Sequence, residues 1–512
     1  MNQMKITMLN DEFWYGLSVH DGTNMPLNKE SRFTINIDPN TTVNQAAPFL
    51  VSNQGRYVWC DDGFIVTVAD GEIVISYRKK EPLFSQGHQT LKGAYLAASK
   101  KHFPPSGKTP PEDFFQGAQF NTWIELLYEQ TQEGILAYGQ AVIDEGYPPG
   151  VLMIDDGWME DYGVWKFHNK RIPEPKKMID SLHQMGFKVM LWTCPFISPD
   201  SAAYRELVGK GKAGGLLFTK EGKPAIREWW NGYSAVLDLS HPEAQRWYKA
   251  QNQYLMDEYG VDGFKFDAGD GKFYQDDDQF YEKIDANGQT LAWAEFGLEY
   301  AYNEYRACYR AGNQPLVQRL ADKNHSWDGH GVGGLIPNHL TQGILGYAFS
   351  CPDMIGGGEY ANFTENSENL DEELFVRYAQ CAALMPMMQF SAAPWRVLTK
   401  ENAALCKNAA DTRNRFTEEI YALAKHSAES GEPITRYMEY QFPHQGFADI
   451  NDQFMLGEKI LVAPVCHKGE TQRKVHLPEG KWMYVDGKRY EGGKVITVKA
   501  ERNIIPYFIL NR

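Results

Sequence analysis

The chain changes its hydrophobic rhythm twice. Over the first ~110 residues apolar and polar positions alternate, as at Phe33, Ile35 and Ile37 and on both sides of Asp70-Gly71 between Phe64 and Tyr77. Period two sends successive side chains to opposite faces of a strand, and Asp-Gly between two such runs predicts a hairpin. The last ~70 residues repeat this grammar: Trp482 to Val485 turns at Asp486-Gly487, and Gly492-Gly493 leads into Val495 to Val498. Residues 1–110 and 439–512 therefore read as antiparallel β-sandwiches.

Between them the period lengthens. A helical stripe over 131–145 (Ile135, Leu136, Val142, Ile143) ends at Gly146 and is followed by the apolar run Val151-Leu-Met-Ile. Pro175 opens a second helix that stops at Gly186, and Lys188-Val-Met-Leu-Trp192 comes next. Pro242 opens a third, through Trp247, Tyr248 and Leu255 to Gly260, before Gly263-Phe-Lys-Phe-Asp267. Helix, terminal glycine, then a continuous apolar strand is the pattern of buried parallel strands joined by helical crossovers. Further strands are predicted at 121–126, 316–319, 347–351, 385–390 and 433–436, which brings the count to eight. The fold class is thus α/β: a (β/α)8 TIM barrel over 111–438 flanked by the two β-sandwiches. Two doubly wound sheets are the alternative, but no Gly-rich phosphate loop supports them.

Barrel active sites sit at the carboxyl ends of the strands. Here those ends deliver Asp155 and Asp156, Trp192, Lys265 and Asp267, and Arg319 with Asp322. A single strand-terminal Asp is readily a helix cap. Four ends supplying such side chains to one rim are not explained by capping.

Composition narrows the chemistry. The 512 residues are 43% hydrophobic and 23% charged, enough for a large core, and the net charge of −15 repels phosphate backbones and anionic headgroups. No nucleic-acid or membrane partner is expected, since no apolar run reaches the ~20 residues of a membrane span. Seven scattered cysteines without a C-x-x-C pair suit a reducing compartment. A cytoplasmic location is expected, with a periplasmic or secreted one if a signal peptide has been removed. The thirteen histidines come no closer than His325 and His330, so no metal site and no cofactor are expected. Thirteen Trp and 28 Tyr suit stacking on sugar rings, and the Trp-rich surface around the cleft is compatible with a homo-oligomer. With no phosphate loop, metal spacing or nucleophile elbow, the available chemistry is carboxylate. Two carboxylates on different strands most naturally cleave a glycosidic bond, about 5–5.5 Å apart for retention and wider for inversion. A catalytically silent sugar-binding barrel and a metal-dependent hydrolase are the competing readings.

Specific segments then match a known family. Gly263-Phe-Lys-Phe-Asp267-Ala-Gly-Asp270 resembles the nucleophile strand of glycoside hydrolase family 31, the retaining α-glycosidases, and Leu320-Ala-Asp322-Lys-Asn-His-Ser-Trp327 resembles its acid/base segment. Val151 to Trp158, Met190 to Pro195, Pro352-Asp353-Met-Ile-Gly-Gly357, Glu373 to Gln380, and Asp452 to Gly457 with Ile460 to Val465 fall in the family's order. The resemblance implies Asp267 as nucleophile and Asp322 as acid/base. It also places Asp155, Asp156, Trp158, Trp192, Lys265, Arg319, Trp327 and Asp353 around the substrate, an oligosaccharide or other glycoside. For Arg319 the alternative is pairing with a carboxylate, and for Trp158 and Trp192 a place in the core. Lys265 beside Asp267 would favour its ionised form, whereas Asp322 needs burial or a neighbouring negative charge to keep a proton. The family's α-glucosidases carry a His where this chain reads Pro386-Met-Met-Gln-Phe-Ser391. That departure, and the wording Asp-Gly-Trp and Pro-Asp-Met-Ile-Gly-Gly, is most similar to the branch with α-galactosidases and the myogenesis-regulating glycosidase. Release of terminal α-galactose is the expected reaction, with α-glucosidase and α-xylosidase as alternatives.

Overall fold

A computed structural model describes residues 1–511. Two four-stranded antiparallel sheets form the N-terminal unit. Strands Ile65–Ala69 and Glu72–Tyr77 meet at Asp70-Gly71, both at positive φ (52° and 74°), as a tight hairpin demands. Their alternate residues Val66, Val68, Ile73 and Ile75 are buried against Trp14, Leu50 and Val58 of the second sheet. This is the face selection that period two implies.

The barrel strands are β1 (Gln119–Asn121), β2 (Val151–Ile154), β3 (Lys188–Thr193), β4 (Gly263–Phe266), β5 (Tyr302–Tyr305), β6 (Val317–Arg319), β7 (Ser350–Cys351 and Met354–Ile355) and β8 (Gln389–Phe390). All pair in parallel, in sequence order, with β8 returning to β1. The first part of β7 pairs with β6 and the second with β8. The break at Pro352-Asp353 thus lies inside one strand, and the sheet closes into an eight-stranded barrel. Helices Gln132–Asp144, Pro175–Gln184 and Pro242–Tyr259 form the expected crossovers, the last ending at Gly260 in the left-handed region.

Two expectations are corrected. The stretch 121–126 is strand only to Asn121, and Trp123–Leu126 is a helical turn. Thr435–Arg436, expected as the eighth barrel strand, instead pairs antiparallel with Phe454–Leu456 in the C-terminal sheet. The true additional strand is β5. Its inward positions Glu304 and Arg306 are charged, so it lacks the apolar run that marks its neighbours.

The C-terminal unit is a six-stranded antiparallel sheet with a two-stranded ribbon, Gln472–Leu477 and Lys494–Lys499. Arg377, buried on helix Glu372–Ala382, ties this unit to the barrel by donating to the carbonyls of Glu470 (2.7 Å) and Ala500 (2.8 Å). Among the described residues, no helix is long and apolar enough to cross a membrane.

Candidate active site

The strand Gly263-Phe-Lys-Phe-Asp267 shows how the site is made. Phe264 and Phe266 turn outward into a ring cluster with Trp293, Tyr300 and Tyr305, so Lys265 and Asp267 turn inward. The same alternation on β5 sends Asn303 and Tyr305 outward and Glu304 and Arg306 inward. In register, Trp192, Lys265 and Glu304 are Cα neighbours across β3, β4 and β5. Directly after Asp267 the chain turns through Ala268 and Gly269, both at positive φ (56° and 76°). A Cβ on Gly269 would meet Trp293 Cδ1 at 2.3 Å, so only glycine fits the turn that aims the carboxylate.

Asp155, Asp156, Trp192, Lys265, Asp267 and Asp322 line one cavity of about 180 Å³ at the carboxyl end of the barrel. Trp123, Trp230, Arg306, Glu359 and Tyr360 complete its wall. Asp267 is held on both oxygens. Oδ1 accepts from the Ala268 N–H (2.8 Å) and Arg306 Nε (3.1 Å), and Oδ2 from the Trp192 indole N–H (2.9 Å). Burial opposes its ionisation, but Arg306, then Lys265 and Arg319, and the Trp192 hydrogen bond outweigh it and hold the carboxyl well below the usual range. Arg306 also reaches Asp270 (2.9 Å) and lies against the Trp230 ring at 5.3 Å.

Lys265 Nζ donates to Asp155 Oδ2 at 2.6 Å, a pair almost wholly shielded from water. Burial works against the Lys265 charge, yet Asp155 and further carboxylates raise its pKa above the ordinary lysine value. Asp156 differs from its neighbour. It accepts from Asn231 Nδ2 (2.8 Å) and the Tyr162 hydroxyl (3.1 Å) on one oxygen, while its buried Oδ1 has no partner. Burial, then the charge of Asp155, pushes it up to about 7. Asn231 and Trp230 form the tip of a hairpin, Ile226–Trp229 with Gly232–Val236, that leans over the cavity.

Four residues expected around the sugar lie behind or beside the cavity wall. Trp158 is fully buried and donates to the Trp192 carbonyl (2.9 Å), so it backs that strand instead of walling the sugar. Arg319 sits inside the barrel and pairs with three carboxylates: Asp322 (2.7 Å), Asp353 and Glu304 (3.3 Å). Asp353 is buried at the break in β7, at positive φ (75°), and accepts from Arg319 Nη1. Trp327 points to the helix rim and donates to Asp371 Oδ2 (3.0 Å). Sequence reading, conversely, missed Arg306, Trp123, Trp230, Glu359 and Tyr360. A signal for Arg306 was present: helix Ala286–Gly297 ends in glycine before Tyr302-Asn-Glu-Tyr-Arg306, the same helix–glycine–strand order as elsewhere.

Fold and cavity together define a barrel with a carboxylate-rich, carbohydrate-sized site at the strand ends. Residues 109–423 match the family description "Glycosyl hydrolases family 31 TIM-barrel domain", and 431–511 match "Glycosyl hydrolase family 31 C-terminal domain". The chain belongs to glycoside hydrolase family 31. It is 32% identical over 408 residues to the myogenesis-regulating glycosidase of Mus musculus, covering 78% of this chain and 56% of the relative. It is 26% identical to the α-xylosidase XylQ of Lactiplantibacillus pentosus, over 95% of this chain and 65% of that protein. The Flavobacterium johnsoniae GH31 dextranase, solved with glucose, superimposes with a TM-score of 0.84 at 20% identity, covering 99% of this chain and 66% of that one. The chain spans about half the length of the first curated relatives it matches.

Proposed function

We propose that this protein is a retaining exo-acting α-glycoside hydrolase in which Asp267 is the nucleophile and Asp322 the acid/base. One observation carries the reading. Two aspartates, one after β4 and one after β6, open onto one small cavity, each held by a different arginine, Arg306 for Asp267 and Arg319 for Asp322. Arg306, Lys265 and Arg319 favour the ionised form of Asp267, the form a nucleophile needs. With Oδ1 fixed by two donors, Oδ2 attacks the anomeric carbon while Asp322 gives its proton to the departing oxygen. The covalent ester removes the negative charge of Asp267. Asp322, now a carboxylate, takes a proton from water, which attacks the same carbon and restores the starting configuration. Asp155, fixed by Lys265, and Asp156, with one unpartnered oxygen, are the groups that hydrogen-bond the sugar hydroxyls. Trp230 and Tyr360 are 44% and 38% exposed at the cavity edge and offer ring faces to the leaving group.

For the sugar we favour terminal α-galactose. The strand that carries a histidine in α-glucosidases sends nothing into this cavity. Ser391 Oγ accepts from the Ile124 N–H (2.6 Å), and Gln389 Nε2 donates to Glu304 (3.0 Å). Hydroxyl reading falls instead to the adjoining Asp155 and Asp156. The test compares kcat/KM on nitrophenyl α-galactoside, α-glucoside and α-xyloside, with the product anomer followed by proton NMR. Asp267→Asn should abolish turnover on the preferred sugar. Turnover retained by that variant, or an inverted product, overturns the mechanism. A glucoside or xyloside preference overturns only the sugar.

A further inference from the structure

The cavity has a closed end and a mouth. Asp155, Asp156 and Lys265 are buried at the strand ends, whereas Trp230, Tyr360 and the Asp322 side chain are exposed. An exo-acting enzyme takes the terminal sugar into the closed end, so the leaving group lies at the mouth, beside Asp322. Glu359, half-buried, lines this mouth and is tied to the segment of Asp322. Its backbone N–H donates to the Lys323 carbonyl (3.1 Å), and Asp353 Oδ2 accepts from the N–H groups of Lys323 (2.7 Å) and Gly358 (3.1 Å). The Trp123 indole N–H adds a fourth bond by donating to the Gly358 carbonyl (3.1 Å). The residue after Asp322 and the pair 358–359 therefore hold one fixed arrangement.

We propose that Glu359 is the residue that selects the leaving group: with the rings of Trp230 and Tyr360 it makes a subsite for a neutral, hydroxyl-bearing sugar. This rests on the assignment of Asp322 as the acid. One oxygen of Glu359 is occupied, since Oε2 accepts from the Asn362 N–H (2.7 Å) at the start of helix Tyr360–Asn366. That bond fixes the side chain, and among the described residues Oε1 has no hydrogen-bond partner. Tyr360 makes T-shaped contacts with Trp123 (5.5 Å) and Tyr128 (6.1 Å), and Trp230 leans on the Arg306 guanidinium. Both rings are braced by packed neighbours yet open to solvent, which suits them to the apolar C–H surface of a pyranose. A few fixed polar groups among aromatic walls give such a subsite its specificity, and Oε1 is the acceptor for a hydroxyl at the ring edge. The charge balance sets the class of sugar. The cavity lining holds five carboxyl groups and two cations. Both cations pair with aspartates, Lys265 with Asp155 and Arg306 with Asp267 and Asp270. A carboxylate, sulfate or phosphate on the leaving group would meet Glu359 with no cation to receive it, and an unpaired like charge is a means of rejecting a ligand.

The experiment compares three substrates of the preferred terminal sugar at pH 7: an α-linked disaccharide with a neutral hexose as leaving group, the same disaccharide with that hexose oxidised to a uronic acid, and the glycosyl fluoride. In Glu359→Ala, kcat/KM for the neutral disaccharide should fall about tenfold, chiefly through KM, with the fluoride changed by less than about twofold. Glu359→Gln keeps an oxygen for the Asn362 N–H and a group to hydrogen-bond the sugar, but carries no charge. It should stay within about threefold of the parent on the neutral disaccharide, while the neutral-to-acidic preference falls about tenfold. An equal loss on disaccharide and fluoride in Glu359→Ala overturns the subsite. A preference unchanged in Glu359→Gln, or a parent that cleaves the acidic disaccharide as fast as the neutral one, overturns the selection by charge. These outcomes leave the assignment of Asp322 intact. If instead Asp322→Asn keeps its rate on the neutral disaccharide, the acid lies elsewhere, and the proposal falls with the reading it rests on.

Discussion

At the scale of the residue, neighbouring carboxylates of identical chemistry are sent to opposite states by their partners. Asp267 is buried yet ionised, because Arg306 and Lys265 outweigh the cost of desolvation. Replacing Arg306 with Ala leaves Asp267 and Asp270 buried without their cation, which typically costs about 3–5 kcal/mol. The expected outcome is a lowered Tm, together with an acidic limb of kcat/KM that moves up, since Asp267 then protonates at higher pH. A variant with normal stability and an unmoved limb would remove this role for Arg306. Asp156 is the converse. Its folded pKa, about 7, lies above the ~3.9 of an unfolded Asp. Between those values the folded protein holds a proton that the unfolded chain has released, so stability falls as pH rises from ~4 to ~7. Asp156→Asn should flatten that slope, measured by urea unfolding at pH 5 and pH 8. An unchanged slope would place the titration elsewhere.

At the scale of the element, the aim of each side chain is set by strand alternation and by the turns that follow. The turn after β4 is the most exacting. Gly269→Ala puts a methyl against Trp293 in a backbone region that alanine rarely adopts. It should lower stability by about 1–3 kcal/mol and reduce kcat more than it raises KM, because Asp267 is re-aimed. Equal changes in both would argue against that. The hairpin over the cavity makes a different claim: Trp230→Ala should raise KM for a disaccharide while leaving hydrolysis of a glycosyl fluoride within about twofold. Much of this level was readable in the sequence. The helices opened by Pro175 and Pro242, the strands that lead to Asp155 and Asp267 and the strand that carries Trp192 have strong local patterns, with glycine stops and continuous apolar runs. Strand β5 escaped because Glu304 and Arg306 turn inward, and an apolar-run criterion is blind to a strand whose inner face is charged. Residues 433–436 misled for another reason, since a segment as short as Pro433-Ile-Thr-Arg436 does not say which sheet it joins.

At the scale of the whole molecule, the N-terminal unit supports the wall of the cavity. Gln45 Nε2 donates to the carbonyls of Arg306 (2.6 Å) and Arg319 (2.9 Å), and Asn44 donates to the same two. Arg306 in turn donates to the Val43 carbonyl (3.1 Å), and Ala46 pairs with the chain beside Cys308. A segment distant in sequence thus fixes the ends of the two strands that carry both arginines. Gln45→Ala leaves buried carbonyls unpaired, at about 1–3 kcal/mol, and should lower kcat although Gln45 does not line the cavity. A variant as active as the parent would separate the sandwich from the site.

The sequence by itself determined the strand and helix periods, the glycine stops and the ordered segments that carry Asp267 and Asp322, because each depends on neighbours a few positions apart. Tertiary structure decided which of the many polar residues at the strand ends reach the cavity. It put Arg319 and Asp353 beneath the floor and Trp158 behind the wall, and brought Arg306, Trp230 and Tyr360 to the cavity lining. The reason is geometric: barrel closure and loop packing set depth and direction, and neither is encoded in local spacing.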